Sequence, residues 1–276
     1  MQENLTCKNC GNSFSGKFCN NCGEKVYTDK DRSVAHLLSE GFHFLTHFEG
    51  SFFRTIKVLF TKPGKFSLDY CDGIRKKYFK PLAFFLLLVV LYLLFPIFDG
   101  LNASAYNHVR HSMYGNYAMR ESLKLIQEKH LTDTEFGEAF SHASGKISKF
   151  LLFIIIPAMA LFSWLVSFKK RKYYYDNFVF GIEANSFFLL WGFLIYPLLF
   201  RLFTKIFPVP DQTDDLLILI PSLGIFTIFL VFSARRFFGF KWWYSILYAF
   251  LYTFTLAVFI QYIYKFILFY ITIHLI

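Results

Sequence analysis

The chain has 276 residues, 55% of them hydrophobic, 22% aromatic and only 17% charged, with 39 phenylalanines and a net charge of +10. Soluble domains run about 45–50% apolar and about 25% charged. This composition excludes a disordered chain, a disulfide scaffold and an ordinary soluble enzyme, and it points to a polytopic membrane protein with its Lys and Arg against anionic lipid.

Residues 1–28 form a polar module holding four of the five cysteines. Cys7-Lys8-Asn9-Cys10-Gly11 and Cys19-Asn20-Asn21-Cys22-Gly23 are two zinc knuckles. Each CxxC sets two sulfurs on one tight turn, and the following Gly can take positive φ where the chain doubles back. Four thiolates complete a tetrahedral Zn2+ site and leave no position open for water, so the expected role of Cys7, Cys10, Cys19 and Cys22 is structural. Phe14 and Phe18 are expected to pack beside it. A module this small has no core of its own, so the metal supplies most of its folding free energy. Gly11-x4-Gly16-Lys17 mimics a phosphate loop but is followed by Phe18 and lies between ligands, so it is rejected. The first residues lack a basic start and an apolar run, which reads as an N-terminus kept in the cytoplasm.

Residues 29–80 read as a neck, with one or two amphipathic helices over 32–60 and a turn-rich basic segment over 61–80. His36, Glu40, His43 and His47 recur at spacings of four, three and four, which puts them within about 60° on one helical face. That face is either a second polar or metal site, or the solvated side of a helix lying on the membrane. Pro63-Gly64 marks a turn. Arg75, Lys76, Lys77, Tyr78 and Lys80 then form either a lipid head-group site or a positive-inside anchor.

These residues resemble a family of uncharacterised bacterial polytopic membrane proteins that join an N-terminal zinc ribbon to a characteristic segment before the first span. The likeness rests on CKNCG and CNNCG, on HLLSEGFHFLTHFEGSFFRTIKVLF, and on KPGKFSLDYCDGIRKKYFKPLAFFLLL, from residue 7 to about 95. Tyr70, Gly73, Arg75, Tyr78 and Pro81 fit the family pattern, whereas Lys62 stands where members often carry Arg. The resemblance implies architecture and carries no activity.

Five apolar stretches follow, near 81–98, 150–168, 178–200, 216–234 and 243–264, each close to the ~20 residues a span needs. Basic groups flank alternate ends: Arg75 to Lys80, then Lys169 to Lys172, then Arg235, Arg236 and Lys241. The intervening segments are charge-balanced (99–149) or acidic (Asp211, Asp214, Asp215). The alternation predicts a multi-pass inner-membrane protein, N-terminus cytoplasmic and C-terminus exterior. Residues 99–149 are expected as an exterior helical hairpin, and 265–276 either continue the last span or break from it. Within the spans, Glu183 and Asn185 are a possible intramembrane polar site. The plainer expectation pairs Glu183 with the basic residues at 169–172.

The expected fold is an all-α bundle at 81–276 with a small cytoplasmic zinc ribbon and amphipathic neck helices. The expected function is non-catalytic: a membrane-embedded adaptor, sensor or assembly factor whose ribbon meets a cytoplasmic protein, with membrane lipids around the bundle. A small-solute or ion transporter tied to Glu183 and Asn185 is the alternative, and a lipid-modifying enzyme using the histidine face comes third. Nucleic acid is set aside, because the charges sit beside spans rather than on a separate domain.

Overall fold

The computed structural model of the chain describes residues 5–26, 33–34, 50–95, 101–111, 113–206 and 214–276, and these are mostly helical. Strands β1 (Leu5–Thr6) and β2 (Ser13–Phe14) pair antiparallel, with Leu5 opposite Phe14. A bridge between Phe18 and Lys25 closes the second loop of this small unit.

Helix α1 (Ser51–Thr61) stops before Pro63-Gly64, where Gly64 adopts φ +78°. Helix α2 (Lys65–Cys71) starts directly after it. The sequence reading expected a turn-rich basic segment over 61–80, and α2 is a short helix within it that the reading did not single out. Seven residues are too short to display a helical period, and the N-terminus of α2 is satisfied from another part of the chain. The backbone turns again at Gly73 (φ +96°) and enters α3 (Pro81–Leu94) with proline at its first position.

Helices α4 (Ala105–His111) and α5 (Gly115–Lys129) precede the long α6 (Asp133–Ser167). A capping box between Thr132 and Glu135 starts α6, and the reciprocal bonds hold the Glu135 carboxyl below its ordinary pKa. The expected hairpin and second span are not separate elements, because the second arm of the hairpin runs unbroken into the apolar half of α6. Helix α7 (Tyr174–Ile206) follows, then α8 (Asp214–Phe238) and α9 (Trp242–Leu275). Among the described residues, four helices are long and apolar enough to cross a membrane, namely α6, α7, α8 from Leu217, and α9, whereas α3 is apolar but has 14 residues. Helix α9 does not break near Lys265. It carries a π turn at Phe259–Tyr264, and Lys265 Nζ donates to Gln261 Oε1 at 2.8 Å within the same helix.

The bundle is held by aromatic packing and close backbone approach. Phe187 and Phe229 stack at 3.9 Å between α7 and α8, and Phe180 packs on Phe237, Phe238 and Tyr248. At Gly181 a Cβ would lie 3.4 Å from Ile156 O, so the small residue lets α7 rest on α6. At one end of the bundle, His108 is buried among the rings of Tyr114, Phe140 and Phe269. Burial, helped by the Lys265 charge, lowers its pKa to about 4. The α6–α7 and α8–α9 turns gather with residues 62–80 at the opposite end, as contacts of Arg171 with Asp72 and of Arg236 with Pro63 show. The three basic groups predicted to share one side therefore do share one end.

Candidate metal centre and its juxtamembrane seat

The two knuckles fold alike. Cys7 N–H donates to Asn12 O and Gly11 N–H to Cys7 O; Cys19 N–H donates to Glu24 O and Gly23 N–H to Cys19 O. Gly11 and Gly23 have φ +75° and +67°, the positive values their place after each CxxC requires. The pairing brings Cys7 Sγ to 3.5 Å from Cys22 Sγ and Cys10 Sγ to 3.6 Å from Cys19 Sγ. All four sulfurs lie within 4.8 Å of one another, so the cluster can hold a metal ion. The Cys22 backbone N–H lowers the pKa of the Cys19 thiol, whereas burial raises that of Cys7 in the same cluster. Phe14 is buried against Cys7 and Cys19 as expected, whereas Phe18 is 58% exposed and does not pack beside the sulfurs. Its bridge to Lys25 turns it outward. Cys71 is buried in α2, far in sequence from the cluster, and burial raises its thiol pKa.

The cysteine module sits on residues 72–76. Lys8 Nζ donates to Asp72 O at 3.0 Å, Lys76 N–H to Glu24 Oε2 at 2.9 Å, and Lys76 Nζ to Cys22 O at 2.5 Å. A Cβ added at Gly23 would meet only the movable end of the Lys76 side chain, so the positive φ of the knuckle turn is what calls for glycine here.

The seat is itself a network. Asp69, 5% exposed, pairs with Lys65 at 2.9 Å and Lys77 at 3.6 Å, and accepts from Tyr78 OH at 2.6 Å. Burial, then the Asp69 carboxylate, push the Tyr78 phenol well above its ordinary pKa. Arg75 Nη2 donates to Tyr175 OH at 3.0 Å and the guanidinium lies 4.9 Å from the Tyr70 ring centre. Phe79 N–H donates to the buried Thr55 hydroxyl at 2.9 Å, tying the segment to α1. Arg171 bridges Asp72 (3.5 Å) and Asp176 (3.7 Å) and lies over the Phe237 ring. Arg75, Lys76, Lys77 and Tyr78 thus have protein partners, and Lys80 is the residue before α3.

Beneath this network, Glu183 reaches across from α7. Its Oε1 accepts Gly64 N–H at 2.8 Å, and Oε2 accepts Ser67 N–H at 2.8 Å together with the Ser67 hydroxyl. The carboxyl is fully buried and caps the first turn of α2, so the expected pairing with residues 169–172 is replaced by an N-terminal cap. The sequence missed this partnership because the two halves lie 116–119 residues apart. Asn185 Nδ2 donates to Gly181 O in its own helix at 2.8 Å. Glu183 and Asn185 therefore do not combine into one polar group. The histidine face, His36, Glu40, His43 and His47, lies outside the described residues.

The elements from the end of the neck through α3 form the seat. Residues 49–93 match a family described as a protein of unknown function, DUF3667. The DUF3667 segment contains α1, the Pro63-Gly64 turn, α2, the basic turn and nearly all of α3. The cysteine cluster and Glu183 lie outside it and make contact with it from two sides. No curated protein and no solved structure matches the chain.

Proposed function

We propose that this protein is a non-catalytic membrane-embedded adaptor whose N-terminal module is a Zn2+ ribbon presented on the cytoplasmic face for a protein partner. The observation that carries this reading is the four-sulfur cluster seated on Asp72 and Lys76. With Zn–S bonds of about 2.3 Å, a tetrahedral site sets its sulfurs about 3.8 Å apart, which agrees with the closest pairs at 3.5 and 3.6 Å. Four cysteines close the coordination sphere, so the metal organises the ribbon and takes no part in chemistry.

The sidedness rests on charge. The end that bears the ribbon also bears the three basic groups, and such groups favour the cytoplasmic face. In this reading the apolar stretch that contains α3 is the first of five spans, and the bundle carries α4 and α5 outside the cell. Glu183 and Asn185 serve internal bonds, which favours a scaffold over a polar path.

In the Cys7→Ser/Cys10→Ser variant, bound zinc, measured by elemental analysis, should fall from one ion per chain to none. Residues 5–26 should unfold while the thermal midpoint of the bundle stays in place. Co-purification from native membranes in mild detergent, read by mass spectrometry, tests the function. A cytoplasmic partner retained by the wild type and lost in this variant supports the adaptor, and an identical partner list in the two contradicts it.

A further inference from the structure

At the end that carries the basic groups, the α6–α7 and α8–α9 turns enclose a cleft of about 820 Å³. Lys169 and Lys170 line it from one turn and Lys241 from the other, and no acidic side chain lines it. Its apolar wall includes Leu165 and Trp243, which are 65% and 72% exposed. Tyr244 completes the rim and packs edge-on against the buried Phe240 at 4.6 Å between ring centres. Lys241 precedes α9 without a side-chain cap, so the first N–H groups of α9 lack a side-chain acceptor there. The neighbouring Arg171 is engaged by Asp72 and Asp176, which leaves the lysines as the cations of the cleft.

We infer that this cleft binds one anionic glycerophospholipid of the surrounding bilayer. Its phosphate meets the ammonium groups of Lys169, Lys170 and Lys241, and an acyl chain runs along Leu165 and Trp243. Charge selects the occupant: three cations with no acidic neighbour favour an anionic head group over a zwitterionic one. The apolar wall at the same opening selects a lipid over free phosphate, because a soluble anion leaves Leu165 and Trp243 uncovered. Basic pockets between helices at the cytoplasmic surface are a recurrent form of such recognition.

The test is native mass spectrometry of the full chain in non-ionic detergent, titrated with phosphatidylglycerol or with phosphatidylcholine of identical chains. Phosphatidylglycerol should bind at low occupancy number and with clear preference. Each interfacial lysine contributes about fivefold, so Lys169→Gln/Lys170→Gln/Lys241→Gln should weaken binding about a hundredfold. Lys172→Gln, outside the cleft lining, should leave it unchanged and matches the charge lost in Lys241→Gln. If the triple variant does not fold, Lys241→Gln alone should still show the fivefold loss. Equal retention of the two lipids, unchanged affinity in the cleft variants, or displacement by excess inorganic phosphate overturns the inference.

Discussion

Glu183→Ala should destabilise the bundle by about 3–5 kcal/mol, the largest effect expected of any side-chain truncation at the seat. The carboxyl accepts two backbone N–H groups, from Gly64 and Ser67, and one hydroxyl, all buried. Truncation leaves both N–H groups without an acceptor in a place water does not reach, at about 1–3 kcal/mol each, and adds a cavity. Thermal unfolding in detergent should register this as a midpoint lower by about 10 °C. Ser67→Ala removes one donor and leaves the acceptor satisfied, so it should cost only about 1 kcal/mol. Equal midpoints for Glu183→Ala and wild type would show that Glu183 does not cap α2.

Gly64→Ala should be nearly as damaging for a different reason. The residue sits at φ +78°, which costs a non-glycine residue about 1 kcal/mol. Its new Cβ would lie 2.5 Å from Ser233 O and 2.8 Å from Ser233 Cα. These are backbone atoms of α8, so no side-chain rotation relieves the overlap. Arg236, one turn further on, donates to Pro63 O and holds the turn against the same helix. The combined cost is about 3 kcal/mol or more, through separation of the turn from α8 or loss of the Glu183 bonds. Because the two sites share one turn, Glu183→Ala and Gly64→Ala should be less than additive when combined. A Gly64→Ala protein with an unshifted midpoint would contradict the close approach.

The parts of the molecule legible in the sequence are those carried by local pattern. The doubled CxxC with following glycines announces two knuckles, and the fold turns both as the spacing requires. Four of the five long apolar runs appear among the described residues as helices long and apolar enough to cross a membrane, and flanking Lys and Arg announce which ends belong together. What escaped was determined by partners distant in sequence. Helix α2 has no periodic signal of its own and depends on Glu183 for its first turn. Asp69 looks like a stray acid in a basic segment until Lys65, Lys77 and Tyr78 surround it. Phe18 was expected against the sulfurs, but a backbone bridge to Lys25 fixes its direction outward. The run from Asp133 into the apolar half of α6 passes without a break through Gly137 and Gly145, and Pro157 lies further along.

The seat also joins two readings that the sequence kept apart. Lys76 was expected toward lipid and Cys22 toward metal, yet Lys76 donates to the Cys22 carbonyl. Metal binding that folds the ribbon should therefore also order the turn beneath it. Hydrogen–deuterium exchange of the purified full chain, with and without a zinc chelator, measures this coupling directly. Removal of the metal should speed exchange at Cys19, Gly23 and Lys76, whose N–H groups are bonded within or to the ribbon, while Gly64 and Ser67 stay protected by Glu183. Exchange at Lys76 that is the same with and without metal would contradict a metal-organised ribbon seated on the juxtamembrane segment.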